Sequence, residues 1–250
     1  MRRSGQNSLL PMVQGLAIAC LICFTVINIG PRAALADDLQ DALQLVEKSH
    51  LTFNAFVADK EMGPSLQAIL KEAKGVMIYP QVLEGAFIFG VSGGSGTFLA
   101  LDAKANVWSG PAFYTIGQVS FGMMAGGRTS EVVLVALTDR GVEALLTAST
   151  KLGVDAALAF GPFGVGAEAA TANLSADIVS YSRNKGLYGG VELNGAVVAI
   201  RGALNAAYYG KEVSPTQILI QREVSNSHAK GLIEAVSRQA GGVWRGSTAE

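Results

Sequence analysis

The chain has 250 residues, half of them hydrophobic and only 16% charged, with 30 glycines and 7 prolines. That balance excludes a disordered, collagen-like or disulfide-built protein and leaves a globular domain with an ample core. A formal net charge of -1 excludes the basic surface a general nucleic-acid binder needs, so no nucleic acid is expected as a partner.

Residues 1–36 read as an export signal. Arg2 and Arg3 form a positive start, Leu16 to Ile29 an apolar run, and Ala34-Leu35-Ala36 a small-x-small cleavage site. Cleavage there predicts an exported protein, periplasmic or secreted, with residues 37–250 as one domain. Both cysteines, Cys20 and Cys23, fall in the removed segment, so the rest has no thiol chemistry. Loss of Arg2, Arg3 and Arg32 moves the net charge from -1 to -4.

From Asp38 to Val57, Leu39, Leu43, Val46, Phe53 and Val57 recur at helical spacing. A second helix is predicted from Pro64, stopping at Gly75. Beyond it, β-branched and aromatic runs broken by glycine predict strands at Val76–Tyr79, Ala86–Leu101, Val107–Gly122 and Glu131–Leu137, with a polar hairpin loop between Leu101 and Val107. Thr138 is placed to cap a short helix, Asp139–Ser149. Asn194-Gly195 suits a type I′ turn and predicts a hairpin that pairs Leu187–Leu193 with Ala196–Arg201. A helix over Leu204–Tyr209, a strand over Thr216–Ile220 and a helix over Ser227–Gln239 complete the chain. Strands so rich in glycine bend and bulge, which predicts an α+β fold: a curled, barrel-like antiparallel sheet with packed helices.

Catalytic patterns are sparse. Gly90-Val91-Ser92-Gly93-Gly94 fits the G-x-S-x-G elbow, and Asp139, Asp155 or Asp177 with His228 would complete the order of a serine hydrolase. The elbow also requires a strand, a sharp turn and a helix, whereas Ser92 has strand signals on both sides. Gly164 to Ala169 fits a dinucleotide fingerprint without the parallel strand that should follow. His50 and His228 lack metal-ligand spacing and read as solvated positions. No enzyme activity, cofactor or metal is expected.

One cationic group stands out. In the expected hairpin Arg201 faces Tyr188 and Lys185 faces Leu204, so Arg183, Lys185 and Arg201 gather at its open end. Such a group suits a lipid headgroup phosphate, with Tyr181, Tyr188, Tyr208 and Tyr209 as interfacial aromatics.

Several segments together resemble the SYLF domain: Ala73-Lys74-Gly75-Val76, Phe89 to Gly96, Glu131 to Val135, Gly161-Pro162-Phe163-Gly164, and above all Tyr181 to Val191 followed by Glu192-Leu193-Asn194-Gly195. The resemblance covers roughly Leu39 to Ser225. It implies a lipid-binding module without known catalysis, whose eukaryotic members bind phosphoinositides and, in fungi, actin filaments. The family's basic "YS-K/R-x-KG" segment falls on Arg183 and Lys185. Val165 stands where many eukaryotic members carry arginine. An exported protein would not meet cytosolic actin. The expected partner is therefore a lipid or membrane surface, bound through Arg183, Lys185, Arg201 and Tyr188, with an envelope protein partner as the alternative and hydrolysis through Ser92 a distant third.

Overall fold

The computed structural model describes residues 31–86, 89–121, 126–161, 176–184 and 193–242. Contacts divide the chain into Met1–Asp37 and Asp38–Glu250.

Helix α1, Pro31–Val57, places Ala42, Val46, Ser49, Phe53 and Phe56 on one buried stripe, the three-four spacing that keeps residues on one side of a helix. Helix α2, Gly63–Leu70, starts with proline in its first turn and buries Leu66, Ile69 and Leu70. Four long strands follow: β1 (Gly75–Ala86), β2 (Phe89–Asp102), β3 (Val107–Phe121) and β4 (Gly126–Ala136). In the β2–β3 turn the Asp102 carboxylate accepts the N–H groups of Lys104 and Ala105, and the Ala105 bond is the main cause of its lowered pKa. Helix α3, Asp139–Leu146, starts at Thr138, whose hydroxyl accepts the Gly141 N–H. Then come β5 (Ser149–Lys151), β6 (Leu158–Phe160), β7 (Ile178–Asn184), β8 (Val197–Ile200), α4 (Gly202–Tyr209) and α5 (Pro215–Leu219), with a 3-10 turn, Ser227–Ala229, leading into α6 (Lys230–Ala240).

The eight strands form one curled sheet in the order β5-β8-β3-β2-β1-β4-β7-β6, antiparallel except where β6 meets β7. Both faces of its centre are covered. In β1, Val76 and Ile78 face α1, α2, α4 and α6, while Met77 and Tyr79 face the opposite side with α3 and α5. A strand buried on both faces reads as an unbroken apolar run, as at Val76–Tyr79 and Val132–Leu137.

The register of β1 shifts between Ile78 and Gln81, so Gln81 pairs with Ser95 of β2. Gly94 lies against this bulge: a Cβ on it would stand 2.2 Å from the Gln81 carbonyl oxygen, so no larger residue fits. Beyond the bulge the arms of β1 to β4 continue, and Leu83, Val91 and Val119 on them are exposed.

Two expected elements differ. The strand expected over Thr216–Ile220 is α5, because Ser214 and Gln217 form a reciprocal capping box and Pro215 takes the first helical turn. Among the described residues β8 pairs with β3 along one edge and β5 along the other. The turn itself exists: Leu193 carbonyl accepts the Ala196 N–H at 3.0 Å, and Gly195 has φ +82°. Asn194 does not have positive φ, so the turn is of the type II kind, not I′. Leu187–Glu192, the other expected arm, lies outside the described residues.

Candidate anion-binding notch

Of the residues expected to form one cationic group, Arg183 and Arg201 are set apart in the sheet. Arg183 lies on β7, and Arg201 follows β8; four strands stand between β7 and β8 in the sheet. The expected hairpin placed them at one end, but β7 pairs with β4 and β8 with β3. Lys185 and Tyr188 lie outside the described residues.

Arg183 is committed to its own fold. Its Nε donates to Glu131 Oε2 at 2.5 Å, directly across the β4–β7 ladder, and its Nη1 lies 4.0 Å from Asp59 Oδ2 and 3.5 Å from the Ala55 carbonyl. The guanidinium carbon sits 4.9 Å from the centre of the Phe56 ring. Asp59 is itself fixed, accepting the N–H groups of Glu61 and Met62. Arg183 therefore ties the end of α1 to the sheet.

Tyr181, Tyr208 and Tyr209 are interior as well. Tyr181 is buried with its hydroxyl 2.9 Å from Ser65 Oγ, and burial raises its pKa despite that bond. Tyr208 is buried against Phe113, and Tyr209 donates to the Pro111 carbonyl; burial raises both phenols, so neither ionises at ordinary pH. His228, expected in solvent, instead bridges elements: Nε2 stands 3.2 Å from Glu47 on α1 and Nδ1 3.4 Å from the Tyr208 hydroxyl.

Ser92 lies within β2, paired with Glu84 on one side and Gln118 on the other. A residue flanked by ladder on both sides has neither the sharp turn nor the following helix of a nucleophile elbow. Among the described residues no group of three or more His, Cys, Asp or Glu stands together as metal ligands, and no helix is long and apolar enough to cross a membrane.

Arg201 is different. Its backbone N–H donates to the Phe113 carbonyl at 2.9 Å, which pins its root to β3 at the start of α4. Its Nη1 donates to Ser95 Oγ at 2.8 Å. Ser95 is on β2 opposite the β1 bulge, so the guanidinium stands at the rim of a cavity of about 250 Å³ between α1 and the sheet. From α1 come Asp41, Gln44, Leu45 and Lys48, spaced three, four and seven apart and so on one side of the helix. Gln81 and Leu83 of β1 and Gly93 and Gly94 of β2 form the floor. Two bases and one acid give the notch a positive balance. Among the described residues neither Arg201 nor Lys48 has a carboxylate within 4 Å. A guanidinium held by one neutral hydroxyl keeps several donors for an anion.

Sequence reasoning found Arg201 but missed Lys48, Ser95 and Gln81. Lys48 lies over a hundred residues away on α1, and the bulge that sets Ser95 has no sequence mark beyond the glycines around it.

Residues 117–239 match the family described as Ysc84, Las17-binding protein actin regulator. The chain is 32% identical over 171 residues to LAS seventeen-binding protein 3 of Saccharomyces cerevisiae, covering 67% of this chain and 36% of that protein. Protein YSC84 of the same yeast is 32% identical over 172 residues, covering 67% and 36%. Human SH3 domain-containing YSC84-like protein 1 is 30% identical over 170 residues, covering 66% and 48%. The matched stretch thus spans between about a third and a half of these relatives' lengths. By its ordered motifs, its curled sheet and these matches, the chain belongs to the Ysc84/SYLF domain family.

Proposed function

We propose that this chain is a non-catalytic lipid-binding module that takes the phosphate of an anionic lipid headgroup in the Arg201 notch. The observation that carries the reading is the Arg201 guanidinium, held in place by Ser95 and without a carboxylate partner among the described residues, facing Lys48 across a cavity of headgroup size. Of the expected group, the notch keeps Arg201 as the binding centre and reads Arg183 as a strut. The leader-like residues 1–36 favour action outside the cytoplasm, in the periplasm or beyond, on an envelope membrane.

Cosedimentation with phosphatidylcholine vesicles, with and without phosphatidic acid, tests this. Wild type should pellet only with the acidic lipid and release as salt rises, since the overall charge gives no general attraction. Arg201→Ala should weaken binding about tenfold or more, the worth of a charge-assisted hydrogen bond to phosphate. Equal binding by a folded Arg201→Ala protein would refute the site.

A second reading, a protein-interaction domain, is favoured by the name of the yeast relative, LAS seventeen-binding protein 3. Absence of binding to any acidic vesicle would move the assignment there.

A further inference from the structure

The arms of β1, β2 and β3 beyond the bulge carry glycines that the chain's own packing does not require. Among the described residues, a Cβ on Gly85 would meet nothing within 4 Å, on Gly93 only the Ile116 carbonyl at 3.6 Å, and on Gly117 only the Ser92 carbonyl at 3.9 Å. All are ordinary contacts or open space, and none of these residues has positive φ. Gly94, one residue on, is a contrast, since the bulge excludes any side chain there. Glycine inside a strand lowers stability relative to alanine. Three such positions, unforced by packing, keep one surface bare.

The ladders show that it is one surface. Leu83 pairs with Gly93 and Gly93 with Gly117, while Gly85 pairs with Val91 and Val91 with Val119. Opposite residues share a face and alternate ones return to it, so these six form two adjacent rows on the α1 side of the sheet. Leu83, Val91 and Val119 are 55%, 59% and 67% exposed. No charged side chain belongs to the two rows in these three strands; Glu84, paired with Arg128, points to the opposite face. From Ser95 back to Val91 the strip runs roughly 13 Å.

This strip is continuous with the notch, because Leu83 and Gly93 line both. Resting on the phosphate reading above, we propose that the strip is a track for one acyl chain of the same lipid: the headgroup is held by Arg201 and Lys48, and the hydrocarbon lies on the bare glycines between Leu83, Val91 and Val119. Charge complementarity at one end and an uncharged apolar surface at the other fit an anionic amphiphile better than a protein partner or a free phosphate compound.

The test uses the full chain and calorimetric titration with glycerol 3-phosphate and with phosphatidic acids of increasing chain length kept below their micellar concentration. Each methylene laid on the strip should tighten binding about twofold to fourfold, the latter being ~0.8 kcal/mol. Val91→Thr/Val119→Thr keeps the β-branched shape and leaves the notch lining intact; it should bind glycerol 3-phosphate as wild type does but lose most of the chain-length gain. Gly117→Thr, which stands a side chain in the track, should do the same, and thermal melts of both variants check the fold. Phosphatidic acid binding that is independent of chain length, or unaltered in both variants, would overturn the track while leaving the notch. Failure of every phosphate compound to bind would overturn both.

Discussion

Replacing Arg183 by alanine separates a strut from a ligand. The guanidinium is about three-quarters buried, as are its partners or more so: Glu131 and Asp59 expose 17% and 10% of their side chains. Removal deletes a charge-assisted hydrogen bond, worth ~1.5–3 kcal/mol, and the stacking over Phe56, worth ~0.5–1 kcal/mol. It also leaves the little-exposed Glu131 and Asp59 carboxylates without that partner. Solvent at the exposed edge offsets part of this, so the expected loss is about 2–3 kcal/mol. For a domain of this size each kcal/mol moves Tm by ~2–4 °C, giving a fall of about 4–12 °C. Urea unfolding followed by circular dichroism measures the free energy, and vesicle cosedimentation below the transition measures binding. Arg183→Ala should be clearly less stable and, while folded, should bind phosphatidic acid like wild type. Unchanged stability with lost lipid binding would refute the reasoning, because it would make Arg183 a ligand.

Gly94→Ala should cost ~1–3 kcal/mol in urea unfolding, since its methyl would meet the Gln81 carbonyl, whereas Gly117→Ala should be neutral or slightly stabilising. Gly195→Val should cost ~1–2 kcal/mol because φ is +82° there; an equal or higher Tm would contradict the turn. Burial pushes Asp177 upward, but bonds from Thr138 and the Ala157 N–H, with Arg140 beside it, bring its pKa below the usual carboxylate value. A folded pKa below the unfolded one means the unfolded chain takes up the proton first, so this stability is present above the unfolded value of ~3.9 and is lost as pH falls through the folded one. Acid unfolding should be shallower in Asp177→Asn over that range, and identical profiles would exclude the assignment.

Helices α1, α3 and α4 and the long strands were legible because their signals are local: a three-four stripe, the Thr138 cap and runs of β-branched residues. Helix α5 was not, since Ile218, Leu219 and Ile220 read equally as strand, and the capping pair Ser214 and Gln217 decides it. The sheet order was misread at one point with consequences for function. A turn at Asn194-Gly195 suggests a local hairpin, but β8 crosses to pair with β3, which a single turn does not encode. Arg201 was therefore found for a reason that does not hold, and its actual companions come from a distant helix and a bulge. Arg183 shows the converse: a basic residue within a distinctive motif whose charge is used for packing.

The most direct measurement follows the arginine Nε–H signals by nitrogen-15 NMR during titration with short-chain phosphatidic acid. The Arg201 signal should shift in proportion to occupancy, with Arg183 unmoved because it stays bonded to Glu131. Saturable lipid binding that moves Arg183 and leaves Arg201 in place would contradict the account.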